Sequence, residues 1–133
     1  MLKEDERNDL VRYRIEKAHK VLEEARDNAK LRHWNLTGNR LYYSVFHMCQ
    51  ALLLSHGEIT RRHAGMIHKI GQDFIVAGKL DRKYGSLISR LYELRQSGDT
   101  EGVPALNSIS VFVSKMYFLV FIYKTVSDVT SNR

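Results

Sequence analysis

The chain has 133 residues, enough for one domain around one core. Apolar residues make up 44% and charged residues 27%, the balance of an ordinary soluble globular protein. Lysine and arginine number 21 against 15 acidic residues, a formal charge of +6, and the single cysteine, Cys49, excludes an internal disulfide and any multi-cysteine metal site.

A pI near 9.5 suits a polyanionic partner such as RNA or a nucleotide, but the charges are interspersed, as in a basic protein with no such partner. Cys49 sits among apolar neighbours and is expected to be a buried, inert thiol. With a charged N-terminus, "MLKEDERNDL", in place of a secretory run, the expected compartment is a reducing cytoplasm. The apolar stretch "MYFLVFIY", bounded by Lys115 and Lys124, is far shorter than the roughly 20 residues that cross a bilayer.

The first third predicts a helix. Val11, Ile15, Ala18, Leu22, Ala25 and Ala29 step by four and three into one narrow seam, and Glu4, Asp5 and Glu6 suit a helix N-terminus. The rest of that helix, rich in Glu, Lys and Arg, reads as a solvated face. Trp34 is expected to close the bundle end at the turn that follows. A second helix is predicted from about Asn35 to Ser55, with Leu41, Val45, Met48 and Leu52 on one stripe and Tyr42, Phe46, Cys49 and Leu53 on the next. So wide an apolar face makes it the central helix, and Gly57 is its expected stop.

"GEITRRHAG" (Gly57–Gly65) predicts a loop, and a short helix follows from about Met66 to Ala77, ended by Gly78. Another helix runs from near Asp81 to about Gln96, with Tyr84, Leu87, Ile88 and Leu91 inward. "QSGDTEGVP" is turn-rich. The last helix covers about Ala105 to Val129, burying Ile109, Phe112, Val113, Met116, Val120 and Tyr123. Its start, "SISVFVS", alternates as a strand does, but the helical period persists longer through "KMYFLVFIYKTV". The expected architecture is a single all-α domain over residues 1–133: an antiparallel up-and-down bundle of four long helices plus one short helix.

Two anomalies interrupt this pattern. Arg40, Tyr43, His47, Ala51 and Leu54 share one stripe of the second helix, away from its apolar seams. Arg40 and His47, about 10 Å apart along the axis, could hold a phosphate between them, the arginine stabilising charge and the histidine exchanging a proton. The alternative is a structural arginine and a satisfied core histidine. On the fourth helix, Arg95 occupies the row of Leu91, where an apolar residue is due. It is either a phosphate clamp or the partner of Asp99.

His56, His63 and His68 lack the carboxylates or cysteines of a metal site, and His63, in "RRH", is more readily solvent-exposed or RNA-facing than a metal ligand. His19 and His33 lie among charges and read as surface. No phosphate loop, dinucleotide fingerprint or serine nucleophile elbow is present. No cofactor or metal is implied.

The order of the pieces resembles a HEPN domain of the compact single-domain bacterial and archaeal branch, over about Arg12 to Gly102. The resemblance rests on "NRLYYSVFH", "ALLLSHG", "RHAGMIHKIGQDFIVAGKL" and "LYELRQSGD". It implies a helical bundle, usually a homodimer with a cleft between subunits. It also implies either a metal-independent ribonuclease toxin or a non-catalytic nucleotide- or RNA-binding partner of a minimal nucleotidyltransferase. Ribonuclease members carry an arginine, four to six residues, then a histidine late in the bundle. Arg95 matches that arginine, but "QSGDTEGVP" supplies no histidine, and the tyrosine that follows it in some toxins is also absent.

Three functions follow as expectations. The first is a binding module acting with a nucleotidyltransferase, contacting nucleotide or RNA through Asn39, Arg40, Tyr43, His47, His63 and Arg95. The second is a ribonuclease using Arg40, His47 and Arg95 as catalytic groups. The third is a purely structural helical interaction domain.

Overall fold

The computed structural model describes residues 2–97 and 106–131. Five α-helices follow one another: α1 (Glu4–Lys30), α2 (Trp34–Ser55), α3 (His63–Ile70), α4 (Arg82–Ser97) and α5 (Leu106–Ser131). There is no strand among the described residues, so the fold is the expected all-α bundle and "SISVFVS" is helical.

α1 and α2 form the backbone of the bundle as a long antiparallel pair. The turn between them is tight. The Arg32 and His33 amides return to the Ala29 and Asn28 carbonyls at 3.0 and 2.9 Å, and Arg32 takes a left-handed φ of 59°. Small residues at the seam let the two backbones approach. Ala18 and Ala25 are fully buried, and the buried Ser44 hydroxyl donates across it to the Ala18 carbonyl at 2.8 Å. Val21, outside the predicted seam, is buried as well, while Ile15 and Ala29 are only partly covered.

α2 packs against α1, α3, α4 and α5, and Leu41, Tyr42, Met48, Cys49, Leu52 and Leu53 are entirely buried. Each aliphatic side chain so buried contributes about 1.5–3 kcal/mol. Burial holds the Cys49 thiol up, as an inert core cysteine requires. Gly57 ends α2 with φ 80°, its own amide and that of Glu58 closing on the Leu54 and Leu53 carbonyls.

The short helix differs from expectation in two respects. It begins at His63, three residues earlier than its apolar pattern shows, because Met66 and Ile70 alone carry the buried signal. It then widens to i→i+5 bonding over Gly71–Val76 before Gly78, also at φ 80°, stops it. On α4, Tyr84, Ile88 and Leu91 are buried and Leu87 is half-buried. On α5, Ile109, Phe112, Val113, Met116 and Val120 are buried as predicted, whereas Tyr123 is exposed on one side and stacks on His56 with the other, ring centroids 3.7 Å apart.

Trp34 does not close the bundle end: it is 47% exposed beside the exposed Leu36, because the turn directs the first residues of α2 into solvent. His19 and His33 are surface residues as read. No described helix is long and apolar enough to cross a membrane.

Candidate nucleic-acid interface

The α1–α2 pairing determines what faces the polar stripe of α2. As the number rises along α1 it falls along α2: Arg14 meets His47, Ala18 meets Ser44, and Glu24 meets Arg40. The stripe thus lines the seam, or groove, between two sets of neighbouring elements. α1 forms one wall, and the start of α3 with the end of α4 forms the other.

Four aromatic side chains cluster beneath this groove: the buried Tyr42 and Phe46 and the part-exposed Tyr43 and Tyr92. Tyr42 lies 5.4 Å from Tyr43, 6.2 Å from Phe46 and 5.8 Å from Tyr92, centroid to centroid. Around them stand cations. The Arg95 guanidinium sits 5.2, 5.6 and 5.8 Å from the Tyr42, Tyr43 and Tyr92 rings. Arg40 lies 5.6 Å from the same Tyr43 ring, and Arg14 lies 5.6 Å from Phe46. Guanidinium over a ring face is attractive through the ring quadrupole, and it holds a long side chain in place without neutralising it.

The two histidines occupy defined positions. His63 stacks on Phe46 at 4.7 Å, and its Nδ1 meets both the Tyr42 hydroxyl and, at 3.4 Å, Arg95 Nη1. His47 Nδ1 lies 2.9 Å from Arg14 Nη1. Arginine can only donate, so Nδ1 is the acceptor in both rings and the proton rests on Nε2. Both rings are held neutral. Burial, followed by Arg14, Lys17 and Arg40, lowers His47 to about 4, and burial with Arg95 lowers His63. Burial also pushes the Tyr42 phenol up to about 12, against the opposing pull of Arg95, so it remains a protonated donor.

The structure therefore gathers the predicted residues Arg40, Tyr43, His47, His63 and Arg95 around one aromatic cluster within a single chain. Asn39 plays a supporting part: its Oδ1 accepts from Arg40 Nε and Nη2 at 3.2 and 2.7 Å. Arg40 is also tied to Glu24 at 3.2 Å, the one carboxylate paired at the groove among the described residues, and such a solvent-accessible pair contributes little. Arg40 and His47 do not face each other as an isolated pair; Tyr43 lies between them and Arg14 takes the histidine. The expected pairing of Arg95 with Asp99 lies outside the described residues. Among the described residues, Arg14 and Arg95 form no ion pair.

Arg14, Lys17, Phe46 and Tyr92 are groove residues that the sequence does not single out. Arg14 lies on a helix face whose many charges conceal it. Only the α1–α2 register shows that this one arginine turns inward, where burial lowers its pKa. A hollow of about 320 Å³ opens beside Arg14 and Phe46, lined also by Ile59, Thr60 and Arg61. The buried Thr60 hydroxyl has no partner among the described residues. Elsewhere, His56 donates from Nδ1 to the Leu52 carbonyl at 3.0 Å, and no described cluster of His, Cys, Asp or Glu could hold a metal.

Neutral His47 makes stability depend on pH. The unfolded imidazole takes up a proton below about 6.5, while the folded one resists until about 4. Stability is therefore full well above pH 6.5 and falls as pH drops toward 4, by about 1–2 kcal/mol from this group once solvent screening at the half-buried ring is allowed for. Urea midpoints measured across that window should fall less steeply in His47→Gln, which retains an acceptor for Arg14.

The chain is thus an all-α bundle that gathers arginines and histidines around one aromatic cluster. The HEPN domain family matches residues 11–106, and the chain belongs to it. A Thermotoga maritima protein of the UPF0332 group is 28% identical over 95 residues, covering 71% of this chain and 72% of its own length. Two proteins of Methanocaldococcus jannaschii bear the names of candidate toxins. One is 38% identical over 60 residues, 45% of each chain. The other is 32% identical over 85 residues, 64% of this chain and 58% of its own. The matched region thus spans about half the length of the toxin-named relatives.

Proposed function

We propose that the chain is a non-catalytic HEPN module that grips the phosphate backbone of RNA in the groove and works beside a minimal nucleotidyltransferase in a toxin–antitoxin-type pair. The names of the Methanocaldococcus relatives support the toxin-related setting. The observation that carries the RNA reading is that the groove presents donors. Arg14, Arg40, Arg95 and Lys17 are cationic, and each histidine has its lone pair committed to an arginine and its N–H left over. Such a set neutralises phosphates. It is poorly suited to cleaving RNA, because metal-free cleavage needs an open acceptor to take the proton of the 2′-hydroxyl.

One specific observation favours a ribonuclease as the second reading. The fold brings His63 against Arg95, restoring from another part of the chain the histidine that the late motif lacks.

One experiment addresses both. A fluorescein-labelled single-stranded RNA is titrated with the protein in EDTA, and the same samples are run on a denaturing gel. Binding that weakens with salt while the RNA stays intact is the expected result. No binding at low salt refutes the proposal. Cleavage that disappears in His63→Ala makes the enzyme reading correct.

A further inference from the structure

The hollow beside Arg14 is built from three parts of the chain: the start of α1, the second half of α2 and the connection that leads to α3. Leu2, Leu10, Phe46, Leu54 and Ile59 make its apolar wall. Arg14 and Arg61 bring two guanidiniums to the same lining, and no carboxylate stands among the described residues there. Neither arginine makes an ion pair with another described residue. The outer wall is held in place. Gln50, almost wholly buried, donates from Nε2 to the Thr60 carbonyl at 3.1 Å and ties the connection to α2. The Thr60 hydroxyl is the one buried side-chain polar atom without a partner among the described residues, where such a group normally has one.

We propose that this hollow is a binding site for a small organic acid with an aliphatic body, its carboxylate met by Arg14 and Arg61. The volume of about 320 Å³ is at the lower end of small-molecule sites and holds about ten non-hydrogen atoms at the ~30 Å³ that a water molecule occupies in the liquid. That is the size of a medium-chain carboxylate. A guanidinium fork matches the planar carboxylate in geometry as well as in charge. The wall of Leu2, Leu10, Leu54 and Ile59 suits an alkyl chain. It offers no partner to the hydrogen-bonding groups of a sugar or a base, which are costly to bury unpaired, so a nucleotide is the wrong guest. Thr60, by rotation about its Cα–Cβ bond, supplies a third donor from the same wall.

Arg14 connects the hollow to the groove. Its Nη1 lies 2.9 Å from His47 Nδ1, so one guanidinium serves both places. A charge-assisted bond to a carboxylate is stronger than a bond to a neutral imidazole. A bound acid therefore neutralises one of the groove's cations and weakens RNA binding without touching Arg40 or Arg95. This consequence rests on the RNA reading of the groove, whereas the site itself does not.

Isothermal titration calorimetry of the full chain with sodium octanoate tests the site. The expected result is one octanoate per chain with a dissociation constant of about 1 mM or tighter. Inorganic phosphate has the charge without the chain, and 1-octanol has the chain without the charge. Each should bind at least roughly tenfold more weakly. Arg61→Ala, at an exposed position outside the groove, should weaken octanoate by about tenfold with unchanged far-UV circular dichroism. Leu10→Trp, at a position 39% exposed on the rim, should block the hollow and is the second variant. The inference is overturned by no saturable heat, by phosphate or octanol binding as tightly as octanoate, or by affinity unchanged in both variants. Fluorescence anisotropy with labelled RNA then reads the connection: saturating octanoate should lower RNA affinity by about tenfold, the loss expected for one arginine. A chain that binds octanoate but no RNA refutes the groove reading and upholds the site.

Discussion

Replacing Arg14 and Arg95 together by alanine is expected to weaken RNA binding by roughly 100-fold near 0.1 M salt, about tenfold for each arginine. The two cations stand on different helices, one over Phe46 and one over Tyr42, Tyr43 and Tyr92, and share no hydrogen-bond partner. Their losses should therefore add. Each arginine removed should also flatten the dependence of log affinity on log salt by about 0.7, the single-strand value for one phosphate contact. Arg40→Ala should have a smaller effect, because Glu24 and Asn39 already occupy three of its N–H groups. Fluorescence anisotropy at three salt concentrations provides both readouts. If the double variant binds as the parent does while its circular dichroism is intact, the groove is not the binding surface.

The second large effect is on stability. Tyr42 is fully buried, and its ring is packed among Tyr43, Phe46, His63 and Tyr92. Tyr42→Ala should cost about 3–5 kcal/mol, the usual result of removing a buried ring, out of a total of about 5–15 kcal/mol. Tyr42→Phe keeps the ring and removes only the hydroxyl that meets His63 Nδ1, so it should cost about 1 kcal/mol. Urea unfolding separates the two. Equal losses would mean that the hydroxyl, rather than the ring, holds this end of α2. The phenylalanine variant also leaves Arg95 as the remaining partner of His63 Nδ1, so its RNA affinity shows how much the orientation of His63 matters.

The bundle was readable because its cause is local and periodic. The rows Leu41–Val45–Met48–Leu52 and Tyr84–Ile88–Leu91 announce buried helix faces by spacing alone, and Gly57 and Gly78 mark real left-handed stops. Arg95 was legible for the same reason, as a cation in a row that calls for an apolar residue. Trp34 misled because its size suggests burial, whereas exposure is decided by the direction of a three-residue turn. His63 read as part of a loop because the first turn of α3 carries no apolar signal. Arg14 was not legible at all. Its role depends on which α1 residue lies opposite His47, and that alignment comes from tertiary packing at Ala18 and Ser44. The meeting of His63 with Arg95, 32 positions apart in the chain, is hidden for the same reason.

The chemistry of the groove's hydrogens bears on what it can tell apart. Guanidinium, ammonium and imidazole N–H groups fit phosphate oxygens, and phosphates are identical at every step of a strand. A grip built from them is blind to the letters of the message. If the groove holds RNA as proposed, any preference for one transcript over another must come from the part-exposed rings of Tyr43 and Tyr92, from the contour of a folded strand, or from a companion protein that delivers it.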